Sequence, residues 1–234
     1  MTTTGHLPRG RHFLTPTVSL HVIEGAEPGP TALVQGGIHG DEVAGVHAIE
    51  ELLEEGFRPL RGRLLLIPCM NPAAYRAGQR TAPGGLDLNR QFPGDATSDA
   101  PELRAAAIFT ALALTERPAL MLTLHESWKR FHPELPVSFG QTVVYGVKPR
   151  PPLVDALVAG MNAALEAPYE LWAPHYYPVA TSSTEMLVEM LGPDTVTGLC
   201  IETWMGFERP RRVAMQKSIV KLALAGVGML DAVA

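Results

Sequence analysis

Four residues in this chain carry side chains that hydrolytic metal enzymes use, and they stand where apolar runs stop. His39 and Glu42 follow Leu33-Val34-Gln35-Gly36-Gly37-Ile38, His125 follows Leu120-Met121-Leu122-Thr123-Leu124, and Glu202 follows Leu199-Cys200-Ile201. Two imidazoles and one carboxylate, with a fourth position left for water, make a catalytic zinc set. A carboxylate directly after an apolar run is costly to bury unless it is paired or used. A general base of raised pKa, acting on a metal-bound water, gives Glu202 such a use.

A His-x-x-Glu pair alone is weak. With 8 His and 17 Glu in 234 residues, about 0.6 such pairs arise by chance, and this chain has three. His21/Glu24 falls in a strand, where residues three apart point to opposite faces. His47/Glu50 falls mid-helix and reads as a surface pair. Only His39/Glu42 straddles a strand-to-helix turn, where the backbone is open.

The elements around these residues alternate. Strands are expected over 17–23, nearer an edge, and over 31–35, 63–68, 119–124, 142–145 and 198–201. Helices are expected over 41–56, with Asp41 as N-cap and Gly56 as stop, and over 101–116, 152–166, 185–191 and 209–232. Two long Gly/Pro/polar stretches, 70–100 and 167–183, read as loops, and loops of that length in a compact domain are usually functional. Strands alternating with helices predict one α/β domain: a mostly parallel or mixed central sheet with helices on both faces. Ligands bind such sheets beyond the C-terminal ends of the strands, so His39, His125 and Glu202 are expected to converge on one edge.

Composition narrows the classes. The formal charge of -5, without a Lys/Arg block, argues against nucleic acid and an anionic membrane as partners. No apolar run reaches the ~18–20 residues of a membrane span. Cys69 and Cys200 form no CxxC. Met1 to His6 has no basic region leading into an apolar stretch, so a reduced, cytoplasmic protein is expected. Gly-x-Ser-x-Gly, a Walker loop and a Gly-x-Gly-x-x-Gly after a strand are all missing, and Gly226-Val227-Gly228 falls in the last helical run.

In chain order, Gly36-Gly37-Ile38-His39-Gly40-Asp41-Glu42, Asn71-Pro72, Arg80, Asp87-Leu88-Asn89-Arg90, Leu124-His125 and Ile201-Glu202 resemble the zinc carboxypeptidase superfamily, in particular its succinylglutamate desuccinylase/aspartoacylase branch. The resemblance implies one Zn2+ per chain, bound by His39, Glu42 and His125. Glu202 would take the proton of the zinc-bound water and pass it to the leaving nitrogen. Arg80 would stabilise the oxyanion, a task in which loss of one donor costs ~2.7–4 kcal/mol. Asn89 and Arg90 would hold a free carboxylate of the substrate, which the forked guanidinium suits, and Asp87 would orient His39. The family's substrate-contacting tyrosine lies on a loop shortly before the catalytic Glu, where Tyr176 and Tyr177 each read as that residue or as loop packing. His175, Glu185 and Glu189 read as a specificity pocket or as structural and solvated residues.

The implied reaction is hydrolysis of an amide bond near a free carboxylate, on a small-molecule or short-peptide substrate. Both a carboxypeptidase and an N-acyl amino acid deacylase would use that clamp. The alternative is a catalytically inactive metal- or ligand-binding relative. Aspartoacylase-like enzymes add a C-terminal β-rich domain. Here about thirty residues follow Glu202 and read as helix, so residues 1–234 are expected to form a single zinc-hydrolase catalytic domain with a more open site. The oligomeric state is left open.

Overall fold

The apolar runs at 31–35, 63–67, 120–124 and 199–201 form the middle of one sheet, where they are covered from both sides. The computed structural model describes residues 5–231 apart from 136, 164 and 166. Its strands are β1 (Gly10–Thr15), β2 (Val18–Glu24), β3 (Glu27–Gln35), β4 (Arg61–Ile67), β5 (Leu120–Ser127), β6 (Thr142–Tyr145), β7 (Ala173–Tyr176) and β8 (Thr197–Trp204). The helices are α1 (Ala44–Glu54), α2 (Pro72–Ala77), α3 (Pro101–Glu116), α4 (Pro152–Asn162), α5 (Ser183–Leu191) and α6 (Arg209–Gly226). The strand order is β1-β2-β4-β3-β5-β8-β6-β7.

The centre, β4-β3-β5-β8, is parallel, while β1, β2 and β6 join antiparallel to their neighbours and β7 pairs parallel with β6. The expected mixed α/β sheet is thus present. One apolar layer packs under α1, α4 and α6 and contains Val34, Leu64, Leu122 and Ile201 with Ile49, Leu157 and Ile219. The opposite layer lies under α3 and α5 and contains Leu33, Leu65 and Met121 with Phe109 and Leu187. Alternate residues of each strand thus feed the two layers, as the period of 2 requires. Among the described residues no helix is long and apolar enough to cross a membrane.

Three elements are absent from the sequence expectations. β1 is an edge strand with mostly polar, exposed positions and no alternation to read. α2 is six residues long, too short to display a helical period, and its only signal is Asn71-Pro72: Asn71 Oδ1 accepts from Ala74 N at 3.2 Å and Pro72 fills the first turn. β7 contains Pro174, which a sheet admits at the edge position where β7 lies.

Boundaries also move. β5 and β8 run beyond His125 and Glu202, to Ser127 and Trp204. Asp41 does not cap α1, which begins at Ala44. The last residues expected of two helices, 166 and 232, lie outside the described residues, and the described parts of those helices end at Asn162 and Gly226.

Candidate active site

β3, β5 and β8 run in the same direction, so their C-terminal ends lie on one edge of the sheet. After β3 the chain turns through Gly36 and Gly37, the latter at φ 60°, where a side chain would be strained. His39 and Glu42 follow in the turn before α1. Gly40 passes so close to α2 that a β-carbon there would lie 1.9 Å from the Ala74 carbonyl carbon. Gly40 N also donates to Gln79 O at 3.0 Å. The turn carrying His39 is therefore fastened to the segment that presents Arg80.

His39 Nδ1 lies 2.7 Å from Glu42 Oε1, and His125 Nδ1 lies 2.7 Å from Glu42 Oε2. The three residues are buried, and one ligand atom from each falls within 4.8 Å of the others. His39 Nε2 is 3.3 Å from Asp87 Oδ1. With its proton donated there, a neutral His39 ring turns the Nδ1 lone pair toward a carboxylate oxygen. A proton or a metal ion can bridge that pair, so the chemistry of the donor set fits a metal ion, and the Asp87 contact is of the kind that orients metal-binding histidines.

The buried groups of the cluster set one another's charge. Burial by itself would lower the pKa of His39. The charge of Glu42 and hydrogen bonds to Asp87 and Glu42 outweigh burial and hold it at about 9. Glu42 is buried, yet the facing His39 and His125 keep its pKa well below the carboxylate range. Burial is the larger influence on His125 and lowers its pKa.

Glu202 pairs with His125 across β5 and β8, so the two side chains leave the same face one strand apart. Its Oε2 is buried without a hydrogen-bond partner. Burial, reinforced by the negative charge of Glu42, raises its pKa well above the ordinary range. Two residues earlier on the same face, Cys200 Sγ donates to Glu202 Oε1 at 3.7 Å. Burial and the charge of Glu202 push the Cys200 thiol far up, so it stays protonated and able to donate.

Arg80 places Nε and Nη2 on Asp87 Oδ2 at 3.1 and 2.9 Å, which leaves Nη1 toward the cluster, 3.3 Å from His39 Nδ1 and 3.6 Å from Glu42 Oε1. Asp87 Oδ1 also accepts from Asn89 N at 3.0 Å and so shapes a single 3-10 turn at Leu88–Arg90. The Asn89 side-chain oxygen is buried and unpartnered.

A cavity of about 480 Å3 opens at this edge. His39, Glu42, Arg80, Asn89, Arg90 and His125 line it, together with Glu202 and Tyr177. Tyr176 is not part of its wall: that ring packs on Tyr145, with Lys148 Nζ 4.3 Å from its centroid. Tyr177 is held against the wall by His175, stacked at 5.8 Å, and by the edge of Phe139 at 4.9 Å. Of His175, Glu185 and Glu189, only Glu185 lines the cavity.

The sequence reading also missed the support of the site. Glu126 points away from the metal-type cluster because β5 continues through it. It accepts from Ala44 N at 2.8 Å and pairs with Arg212 of α6, and so supplies the cap that α1 lacks. Buried Gln216 donates to His125 O at 2.8 Å and to Thr203 Oγ1 at 3.0 Å.

Residues 28–132 match the family model described as the succinylglutamate desuccinylase/aspartoacylase catalytic domain. Over 99 residues the chain is 41% identical to an N-alpha-acetyl-L-2,4-diaminobutyric acid deacetylase of Halomonas elongata, covering 42% of this chain and 28% of that protein. A solved succinylglutamate desuccinylase from Silicibacter sp. TM1040 superposes with a TM-score of 0.70 at 27% identity, over 92% of this chain and 62% of that one. The product-bound cell shape determinant protein Csd4 from Helicobacter pylori has the same fold, with a TM-score of 0.79 at 17% identity over 91% and 56% of the two chains. The chain thus spans a quarter to about three-fifths of the length of these proteins. The chain shares the mixed α/β fold of these carboxypeptidase-like structures. Its sequence likeness to the succinylglutamate desuccinylase/aspartoacylase catalytic domain extends over residues 28–132.

Proposed function

We propose that this chain is a zinc-dependent amide hydrolase acting beside a free carboxylate, with N-acyl amino acids as its first substrate class. The observation that carries the reading is the convergence of His39, Glu42 and His125, with Glu202 one strand step away in the same cavity. The resemblance to a deacetylase and to a desuccinylase favours an N-acyl amino acid over a peptide as the substrate.

A zinc ion held by His39, Glu42 and His125 would supply Lewis acidity and a water of lowered pKa. The protein's own groups do the rest. Glu202, whose pKa burial has raised, accepts a proton from the attacking water and delivers it to the departing amine nitrogen. Arg80 Nη1, the nitrogen that Asp87 leaves unused, donates to the oxygen on which negative charge develops. Arg90 and Asn89 grip the substrate carboxylate, and Asp87 keeps the His39 ring in orientation.

The test is metal analysis of purified protein, followed by a screen of N-acyl amino acids against short peptides with and without a chelator. One zinc per chain is expected, with chelator-sensitive release of free amino acid. Protein that takes up no stoichiometric metal defeats the reading. Stoichiometric metal without turnover of any amide would make the chain a binding relative.

A further inference from the structure

We propose that Glu185 selects substrates whose amino-acid part carries a cationic side chain. The inference rests on the hydrolase reading, since it concerns the same cavity.

Glu185 occupies the first turn of α5, half-buried in the cavity wall. Ser182 caps that helix, its Oγ accepting from Glu185 N at 3.3 Å. Ser182-x-x-Glu185 has the spacing of a capping box, in which the carboxylate turns back to the N–H of the cap residue. Here it does not. Ser182 N donates to Val179 O at 2.8 Å, while Glu185 Oε2 accepts from Val179 N at 2.7 Å. Oε1 is directed across Gly146, where a β-carbon would come within 2.0 Å of it. Position 146 must be glycine for the carboxylate to sit there.

Among the described residues, no Lys, Arg or His lies within ion-pair distance of Glu185. A half-buried carboxylate with a single backbone donor is under-compensated, and burial accordingly raises its pKa. Val144, Tyr145 and Val179 line the same cavity and offer apolar surface there. That surface suits the methylene stem of a basic side chain, whose charged end needs a polar terminus. Arg80 and Arg90 line the same cavity and attract an anionic group. One ligand with a carboxylate and a side-chain cation satisfies both signs.

The experiment compares zinc-loaded wild-type protein on N-acetyl-L-ornithine, N-acetyl-L-arginine and N-acetyl-L-norvaline. It then repeats the set with Glu185→Gln, which keeps an acceptor oxygen for Val179 N, and with Glu185→Lys. The wild type should favour the cationic substrates. In Glu185→Gln the cationic-to-neutral ratio of kcat/KM should fall about ten- to a hundredfold, chiefly through KM, the range spanned by a hydrogen bond to a charged group. Glu185→Lys should invert the preference toward N-acetyl-L-glutamate. Equal rates on cationic and neutral substrates, or an equal loss on both in Glu185→Gln, overturn the proposal while leaving the hydrolase reading standing. Calorimetric binding of free ornithine to the same proteins reads the charge pairing without turnover, so a failed hydrolysis assay does not mask the result. Unchanged ornithine affinity in Glu185→Gln would also overturn it.

Discussion

At the scale of single residues, Glu202 concentrates the chemistry. One oxygen receives a thiol hydrogen bond from Cys200 and the other is buried with no partner. Glu202→Gln keeps the size and removes the ionisable group. Turnover should fall about two to four orders of magnitude, the usual worth of a general base, while zinc content measured on the same sample stays at the wild-type level. Near-normal turnover would take Glu202 out of the mechanism. The sequence made this residue legible because a carboxylate after Leu199-Cys200-Ile201 has no cheap structural reason to be there. It did not reveal Cys200 as a hydrogen-bond donor, because a cysteine in an apolar run looks like any other core residue. Tyr176 and Tyr177 show the reverse limit. Adjacent residues on a strand end point apart, and which one meets the cavity depends on the register of β7, an element with no readable pattern.

At the scale of elements, α2 is the part that a reader of the sequence would discard and the site would miss. It holds the Gly40 turn on one side and leads into Arg80 on the other. Gly40→Ala forces a methyl group into the backbone of Ala74 and Tyr75, with approaches of 1.9 to 2.3 Å. The loss of stability should exceed the about 1–3 kcal/mol of ordinary overpacking, visible as a lowered Tm, with zinc content reduced in whatever folds. An unchanged Tm would mean that the two segments are not locked together.

α1 makes a second case. Its N-terminus borrows a cap from β5, Glu126, which α6 balances with Arg212. Arg212→Met should therefore cost about 3–5 kcal/mol by leaving Glu126 buried without its cation, although Arg212 is not among the residues that line the cavity. Thermal unfolding of the variant measures it. Asp41 was the natural reading for the N-cap from sequence alone. The chain instead spends residues 41–43 turning Glu42 into the site, and the cap comes from a residue 82 positions away.

At the scale of the whole molecule, the site belongs to no single element. β3, β5 and β8 each lead a residue to the same edge, and the stretch after α2 supplies both arginines. An ion bound by His39, Glu42 and His125 would tie these strands together in the folded state only, so zinc added to chelated protein should raise Tm, by about 2.7 kcal/mol of stability at a hundredfold excess over Kd. Calorimetry in a zinc series tests this; a Tm indifferent to zinc would mean no specific site. The convergence was legible in the sequence because the central strands are plain apolar runs with chemistry at their ends. The peripheral β1 and β7 were not, since edge strands tolerate polar residues and proline and so carry little signal.

The pairing of β5 with β8 carries one more implication. Eight consecutive residues match without a bulge, from Leu120 opposite Thr197 to Ser127 opposite Trp204. The separation of His125 from Glu202 is therefore counted in whole residues, and no loop can adjust it. Across any set of descendants of this chain, gene lengths should drift in an exposed loop such as residues 132–135, yet stay frozen inside these two strands. A library of single-codon insertions would draw that boundary directly: one extra residue before Glu202 swings it toward α6, and activity vanishes in a folded protein.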